Sequence, residues 1–186
     1  MPLLPQETQI APEEIFSLGG DRPWSVVHVR SRQEKALARH LLGHQVPFYL
    51  PQIEQTISRA GRKFVSYLPL FPGYVFYRGP DAIRSIVLRS GLAANIIKVD
   101  DQPLLARELK QIRELQQSGA SLIPSDELAP GDPVEITEGP FRGYVGVVVR
   151  DANRERLIVS VSLLHKSVSV DFHHSVLKRR RAGRWR

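Results

Sequence analysis

His40 and His44 lie four residues apart in a stretch of helical pattern, a spacing that sets two imidazoles on one helix face. Zinc proteases pair that spacing with a glutamate that acts as general base. Here Leu41-Leu42-Gly43 fills the gap, so the pattern is absent. His173 and His174 are adjacent and would point to opposite faces of a strand. The chain has no cysteine, no phosphate-cradling glycine loop and no nucleophile motif. No set of residues for catalysis, metal binding or a cofactor emerges, and a non-enzymatic protein is expected. The chemistry that remains is recognition, apolar and cationic.

The apolar group is Leu70-Phe71-Pro72-Gly73-Tyr74-Val75-Phe76, three aromatics around a Pro-Gly turn signal. Alternation places Tyr74 and Phe76 on one sheet face and Val75 on the other. Two alternatives fit these rings. They fill a core, or they form an apolar patch for a partner, where one buried Phe is worth about 1.5–3 kcal/mol. Trp24 reads as core, a large ring on a first strand beneath a helix.

The cationic group is Arg59, Arg62 and Lys63 on the polar turn Ser58–Lys63, with Arg84 and Arg89 on or just after a short helix. Such cations either meet nucleic-acid phosphates by sequence-independent, salt-sensitive attraction or belong to a solvated loop. The tail Lys178–Arg186, with Trp185, either binds nucleic acid by charge and stacking or is a solubilising end.

Charge is unevenly spread. The net charge of +7 divides into −3 over residues 1–23, +7 over 24–116, −3 over 126–177 and +6 over 178–186. A basic first half suits proximity to nucleic acid, and an acidic second half suits a basic protein partner. The alternative is charge that serves solubility alone. Absence of cysteine suits a reducing cytoplasm. No apolar run approaches the roughly 18 residues of a membrane span, and the acidic N-terminus is not a signal peptide. A soluble, cytoplasmic protein with no membrane contact is expected.

Residues 1–22 carry several prolines, Gly19-Gly20 and no apolar period, and are expected to be a disordered extension. Trp24–Arg30 alternates as a strand. Ser31 and Glu34 match a capping box for a helix with Leu37, Ala38, Leu41 and Leu42 as its stripe and Gly43 as its stop. Further strands are expected over residues 48–57, 64–70, 74–77 and 96–99, and helices over 83–88 and 104–115, the latter with Leu104, Leu105, Leu109, Ile112 and Leu115 as its apolar stripe. Residues 117–127 read as a linker. Beyond it, closely spaced β-rich runs at 134–136, 145–150, 157–163 and 167–172 suggest a small closed barrel, with 151–153 as one of its turns. The runs Val145–Arg150 and Leu157–Val161 are dense in β-branched residues, which favours strand over helix there under all conditions.

Three stretches together carry a family resemblance: Trp24–Arg30, Leu70–Phe76, and Gly131–Ile136 running into Gly139-Pro140-Phe141-Arg142-Gly143. Over residues 23–178 the chain resembles the NusG family of bacterial transcription elongation and antitermination factors. The resemblance implies an α+β fold: an N-terminal antiparallel sheet flanked by helices (NGN-like, 23–116), a flexible linker (117–127) and a small SH3-like KOW barrel (128–178), followed by a basic tail (179–186).

It also implies roles. Leu70, Phe71, Pro72, Tyr74 and Phe76 match positions that contact the clamp helices of RNA polymerase. Arg59, Arg62, Lys63, Arg84 and Arg89 would lie near non-template DNA or nascent RNA. Gly139, Gly143 and Gly146 match the structural glycines of the KOW motif, permitting tight turns. Leu163, Leu164, His165 and Lys166 match the stretch through which the barrel binds termination factor Rho or a small-subunit ribosomal protein. The resemblance implies a monomer without cofactors that modulates elongation, pausing and termination. Where a specialised paralogue carries threonines for gripping the polymerase, this chain has Ile83-Arg84-Ser85-Ile86, so sequence-specific DNA reading is not carried over. KOW modules also occur in ribosomal proteins, leaving a ribosome-associated RNA-binding protein as the alternative. Such a protein has no need of the Leu70–Phe76 patch.

Overall fold

The structure, a computed structural model, describes residues 6–19, 21–59, 61–119, 122–125, 133–136, 142–151, 154–172 and 177–179. The chain divides into two compact units, Met1–Gln102 and Pro103–Arg186.

The first unit opens with β1 (Ile10–Ala11), a 3-10 turn at Glu13–Ser17 and β2 (Trp24–Val29). Helix α1 (Glu34–Gly43), β3 (Phe48–Tyr49), β4 (Gln52–Arg59), β5 (Arg62–Pro69) and β6 (Tyr74–Arg78) follow, then α2 (Ala82–Arg89) and β7 (Ala93–Ile97). Five strands form an antiparallel sheet in the order β1-β3-β6-β2-β7, and β4 and β5 form a separate hairpin. Alternation along β2 works on both faces. Val27 and Val29 join Val75, Tyr77 and Phe48 in a core closed by Leu37, Ala38 and Leu41 of α1 and Val87 of α2. The opposite face carries Trp24 and Val26, the latter paired with Phe76. Both are buried, Trp24 as expected.

Three expectations for this unit are corrected. Residues 1–22 are not a disordered extension throughout: Ile10 pairs with Tyr49, and Ile15 is 0% exposed. Two-residue strands and 3-10 turns are too short to show a period, so the pattern did not reveal them. The capping box does not form, because the helix begins at Glu34 and Gln33 occupies its N-cap without a side-chain bond. Arg32 stands between, with a left-handed φ of 60°, and Glu34 is committed elsewhere. Nor does Gly43 stop α1. The helix includes it, and Gln45, at φ 54°, turns the chain.

The second unit takes in most of α3 (Gln102–Gln117), which ends before Gly119 at φ +75°. The stripe expected for it is present, with Leu105, Leu109, Ile112 and Leu115 buried. Then come β8 (Leu122–Ser125), β9 (Pro133–Ile136), β10 (Val145–Asp151), β11 (Arg154–Val161), β12 (Lys166–Phe172) and β13 (Leu177–Arg179). They form one antiparallel sheet, ordered β13-β9-β10-β11-β12-β8. The β character expected here is present, and no pairing joins the outermost strands β13 and β8 among the described residues. The linker reading of 117–127 is corrected at Gln117 and at Leu122–Ser125. Gln117 completes α3, and Leu122–Ser125 pairs with residues 167–170 of β12. Pro124 is tolerated there because β8 is an edge strand. Gly139, Ala152-Asn153, His173-His174 and residues 180–186 lie outside the described residues.

Candidate functional site

The Phe71-Pro72-Gly73-Tyr74 turn joins the β4–β5 hairpin to β6. Tyr74 N–H donates to the Phe71 carbonyl at 3.1 Å. Pro72 sits second in the turn and Gly73, at φ +89°, third, as in a type II turn. Two distant elements hold it. Glu34, buried at the start of α1, accepts the Gly73 N–H on Oε1 at 2.7 Å, and Val29 N–H donates to the Gly73 carbonyl at 2.9 Å. The His28 ring lies 5.2 Å from that of Tyr74, which is its cross-strand partner. Pro72 and His28 are exposed, and Tyr74 is half-buried.

The patch reading is corrected for three of its residues. Leu70, Phe71 and Phe76 are 1%, 2% and 0% exposed. They belong to a ring ladder: Phe71 meets Phe76 edge-on at 6.0 Å, Phe76 lies 6.4 Å from Tyr49, and Tyr49 meets Phe16 edge-on at 5.5 Å. Phe16 also lies 5.6 Å from Trp24, over which the Arg78 guanidinium sits at 5.5 Å. Alternation assigned Phe76 to a face, but a covered face and an open one look alike in sequence. Phe16 is the residue that sequence reasoning missed. A lone ring in a proline-rich segment gives no periodic signal.

The cations stand on two elements. Arg59 pairs with Arg62 at the tip of the β4–β5 hairpin, where Gly61 takes φ +74°. Arg62 and Lys63 are exposed and form no ion pair among the described residues. Arg84 and Arg89 are exposed on α2, but five residues separate them by about 140° around a helix, so they do not form one row. Burial holds the Tyr77 hydroxyl above the usual tyrosine range, with Ser25 and the charge of Arg84 opposing it.

In the second unit, α3 carries a polar row that sequence reasoning also passed over. Glu108 accepts from Ser162 Oγ at 2.6 Å and from Ser162 N–H at 3.2 Å. Gln111 pairs with both backbone groups of Val145, and Tyr144 OH donates to Glu114 at 2.7 Å. Burial, then the Glu114 carboxylate, pushes the Tyr144 hydroxyl well above its ordinary range. Beside this row lies a cleft of about 380 Å³ lined by Glu108, Gln111, Val145, Val147, Ile158 and Ser160. Spacing of three residues is the signal that would have found the row.

Ser162–Leu164 form a 3-10 turn, followed by His165 in the left-handed region at φ 52° and Lys166 at the start of β12. Leu164 is buried, which corrects its place in a contact surface, while His165 is exposed and Leu163 and Lys166 are half-buried. Gly143 takes φ +89°, a conformation that favours glycine. Gly146 does not turn the chain: it lies within β10, opposite Val134.

The His40 and His44 rings lie 4.2 Å apart between centroids, tilted by 39°, but His40 Nε2 lies 3.1 Å from the Ile86 carbonyl and His44 Nδ1 2.8 Å from that of His40. Among the described residues no three His, Cys, Asp or Glu side chains group as a metal site would require. No helix among them is long and apolar enough to cross a membrane.

A two-sided antiparallel sheet packed against helices, with a braced surface turn and a basic hairpin, defines a protein of the α+β class. The model of the family described as NusG, transcription termination factor, matches residues 22–114, half of the chain. This protein belongs to the NusG family, whose members are transcription factors and not enzymes. It is 29% identical over 140 residues to the transcription termination/antitermination protein NusG of Buchnera aphidicola, covering 70% of this chain and 76% of the relative. The protein of that name from Pseudomonas aeruginosa is 28% identical over 177 residues, covering 84% and 97%. The Escherichia coli K12 protein is 29% identical over 175 residues, covering 84% and 95%. A chain from a crystal structure of the MjSpt4:Spt5 complex covers 82% of this one at 16% identity with a TM-score of 0.27.

Proposed function

We propose that this chain rides on RNA polymerase as an elongation factor, docking its first unit on the clamp helices through the surface of the Phe71–Tyr74 turn. The carrying observation is that Glu34 and Val29 hold this turn rigidly with Pro72 exposed and Tyr74 half-exposed beside His28. Leu70, Phe71 and Phe76 support the surface from below. Arg59, Arg62 and Lys63 then face non-template DNA or nascent RNA as a non-specific electrostatic contact. The second unit recruits a further factor, Rho or a small-subunit ribosomal protein, through the surface around Leu163, His165 and Lys166. The protein acts as a cytoplasmic monomer and modulates elongation, pausing and termination.

The test is capture of core RNA polymerase by the wild-type chain and by Tyr74→Ala, with circular dichroism to confirm both folds. Binding by the wild type and its loss in the variant supports the reading. Retention of ribosomes or RNA by a chain that ignores polymerase overturns it.

A further inference from the structure

Residues 6–19 precede the stretch that matches the family, which begins at residue 22. They nonetheless lie along the sheet as a strap. Glu7 N–H donates to Gln52 Oε1, and Gln52 Nε2 returns a bond to the Glu7 carbonyl. Gln9 accepts from Gln52 N–H on its side chain and from Leu50 N–H on its carbonyl. Glu7 pairs with Arg39, and Arg78 Nη1 donates to the Ile15 carbonyl at 2.7 Å. Phe16 meets both Trp24 and Tyr49, at one end of the ring ladder whose other end, Phe71, opens the braced turn.

The strap is attached in a way that permits local release. Its strand has two residues at the sheet edge, and its 3-10 turn has no side-chain N-cap. Among residues 6–19 only Ile10 and Ile15 are buried. Segments with few buried apolar side chains and short edge pairing open well below the free energy of global unfolding. Release of Phe16 would uncover Trp24 and Tyr49 and, through Tyr49, free one side of Phe76.

We propose that residues 7–17 are an autoinhibitory strap: seated, they cap the aromatic ladder with Phe16; displaced, they extend the polymerase-binding surface from Tyr74 across the ladder to Trp24. The inference rests on the turn being the polymerase contact. On this proposal the clamp helices of the polymerase compete with Phe16 for the same rings. The apparent affinity of the full chain is therefore reduced by the fraction of molecules in which the strap is seated.

Two measurements test it. Hydrogen exchange on the free, full chain should show the Leu50 and Gln52 amides, both bonded to Gln9, exchanging faster than those of Val26 and Val27 in β2. Equal rates would mean that the strap opens only with the whole unit, which overturns the proposal. Affinity for core RNA polymerase is then compared for the full chain, a chain lacking residues 2–19, and Phe16→Ala, which leaves the rest of the strap in place. A strap open in one molecule in ten predicts tighter binding on its removal by at most about tenfold, since the seated chain still presents the Tyr74 turn. Unchanged or weaker binding by folded Phe16→Ala overturns the strap while leaving the turn intact as a contact. Failure of every chain to bind removes the polymerase contact itself, and the gating with it.

Discussion

The Glu34 carboxylate and the Gly73 amide meet at 2.7 Å across 39 residues of sequence. Glu34 is the first residue of α1, where the positive end of the helix favours its charge, and it is buried. One hydrogen bond thus ties the orientation of a helix to the position of a surface turn. The turn depends on it in both directions, since Gly73 also accepts from Val29 of the central strand β2.

Removing the carboxylate leaves a half-buried amide unpaired. Bonds to charged groups contribute about 1.5–3 kcal/mol, so Glu34→Ala should lose about 2 kcal/mol of stability in urea unfolding. Glu34→Gln keeps an acceptor and should lose less. Equal losses would mean that the carboxylate charge, and neither packing nor a neutral acceptor, is what Glu34 supplies. Gly73→Ala isolates the backbone: its Cβ would meet the His28 ring at an ordinary 3.5 Å, so the expected cost of about 1–2 kcal/mol comes from φ +89°.

Order in the N-terminal strap has a direct thermodynamic signature. Ile15 is fully buried, and truncating such a side chain in a fixed core costs about 2–5 kcal/mol; a strap open in one molecule in ten transmits no more than about 1.4 kcal/mol of it, against less than about 0.5 at a solvated site. Ile15→Ala should shift the urea midpoint accordingly. A shift near zero would return residues 10–17 to a disordered extension.

These positions mark where sequence stops being sufficient. Alternation identified Trp24–Val29, and helical spacing identified Leu105, Leu109, Ile112 and Leu115, because each has enough residues to express a period. Phe71 and Phe76 were legible as rings on a strand, but their burial depends on what lies above the face. Phe16, many residues away, covers the neighbouring rings Tyr49 and Trp24 of the same ladder. Glu34 fitted a local capping pattern and was recruited by a tertiary partner instead. Glu108, Gln111 and Glu114 add no apolar period to the sequence, and their role shows only in their partners Ser162, Val145 and Tyr144.

Glu108 and Ser162 provide a second pair to test. Two bonds join them, to the hydroxyl and to the amide that begins the 3-10 turn. A double-mutant cycle with Glu108→Gln and Ser162→Ala in the full chain should give a coupling of about 1 kcal/mol by thermal unfolding. Additive effects would show that the helix does not brace this turn.

Alkaline pH should expose Tyr77 and Tyr144. Both hydroxyls titrate above the ordinary tyrosine value of 10.0 in the folded chain. Above that value the folded state therefore holds protons that the unfolded state has released. The stability they contribute is complete below pH 10 and falls as pH rises toward the folded values. Lys35, held below 10.5 chiefly by burial, acts with the opposite sign just beneath its own ordinary value, so wild type alone gives a mixed curve. The comparison with Tyr144→Phe separates them. That variant should lose stability less steeply between pH 10 and 12, and ultraviolet titration should show one fewer late-ionising phenol. Identical slopes would show that neither burial nor Glu114 holds the proton on Tyr144.

The hairpin cations make a claim about salt. Arg62 and Lys63 are exposed and form no ion pair among the described residues, so replacing both with serine should change stability by no more than about 0.5 kcal/mol. Their effect on nucleic-acid binding should be larger and of a particular kind. Each phosphate contact removed lowers the slope of log affinity against log salt by about 0.7 on single strands and 0.9 on duplex. The double variant should therefore flatten that slope by about 1.4 to 1.8 and weaken unrelated sequences alike. A weaker complex with the same slope would place these side chains away from the phosphates, and the hairpin would then be a solvated loop.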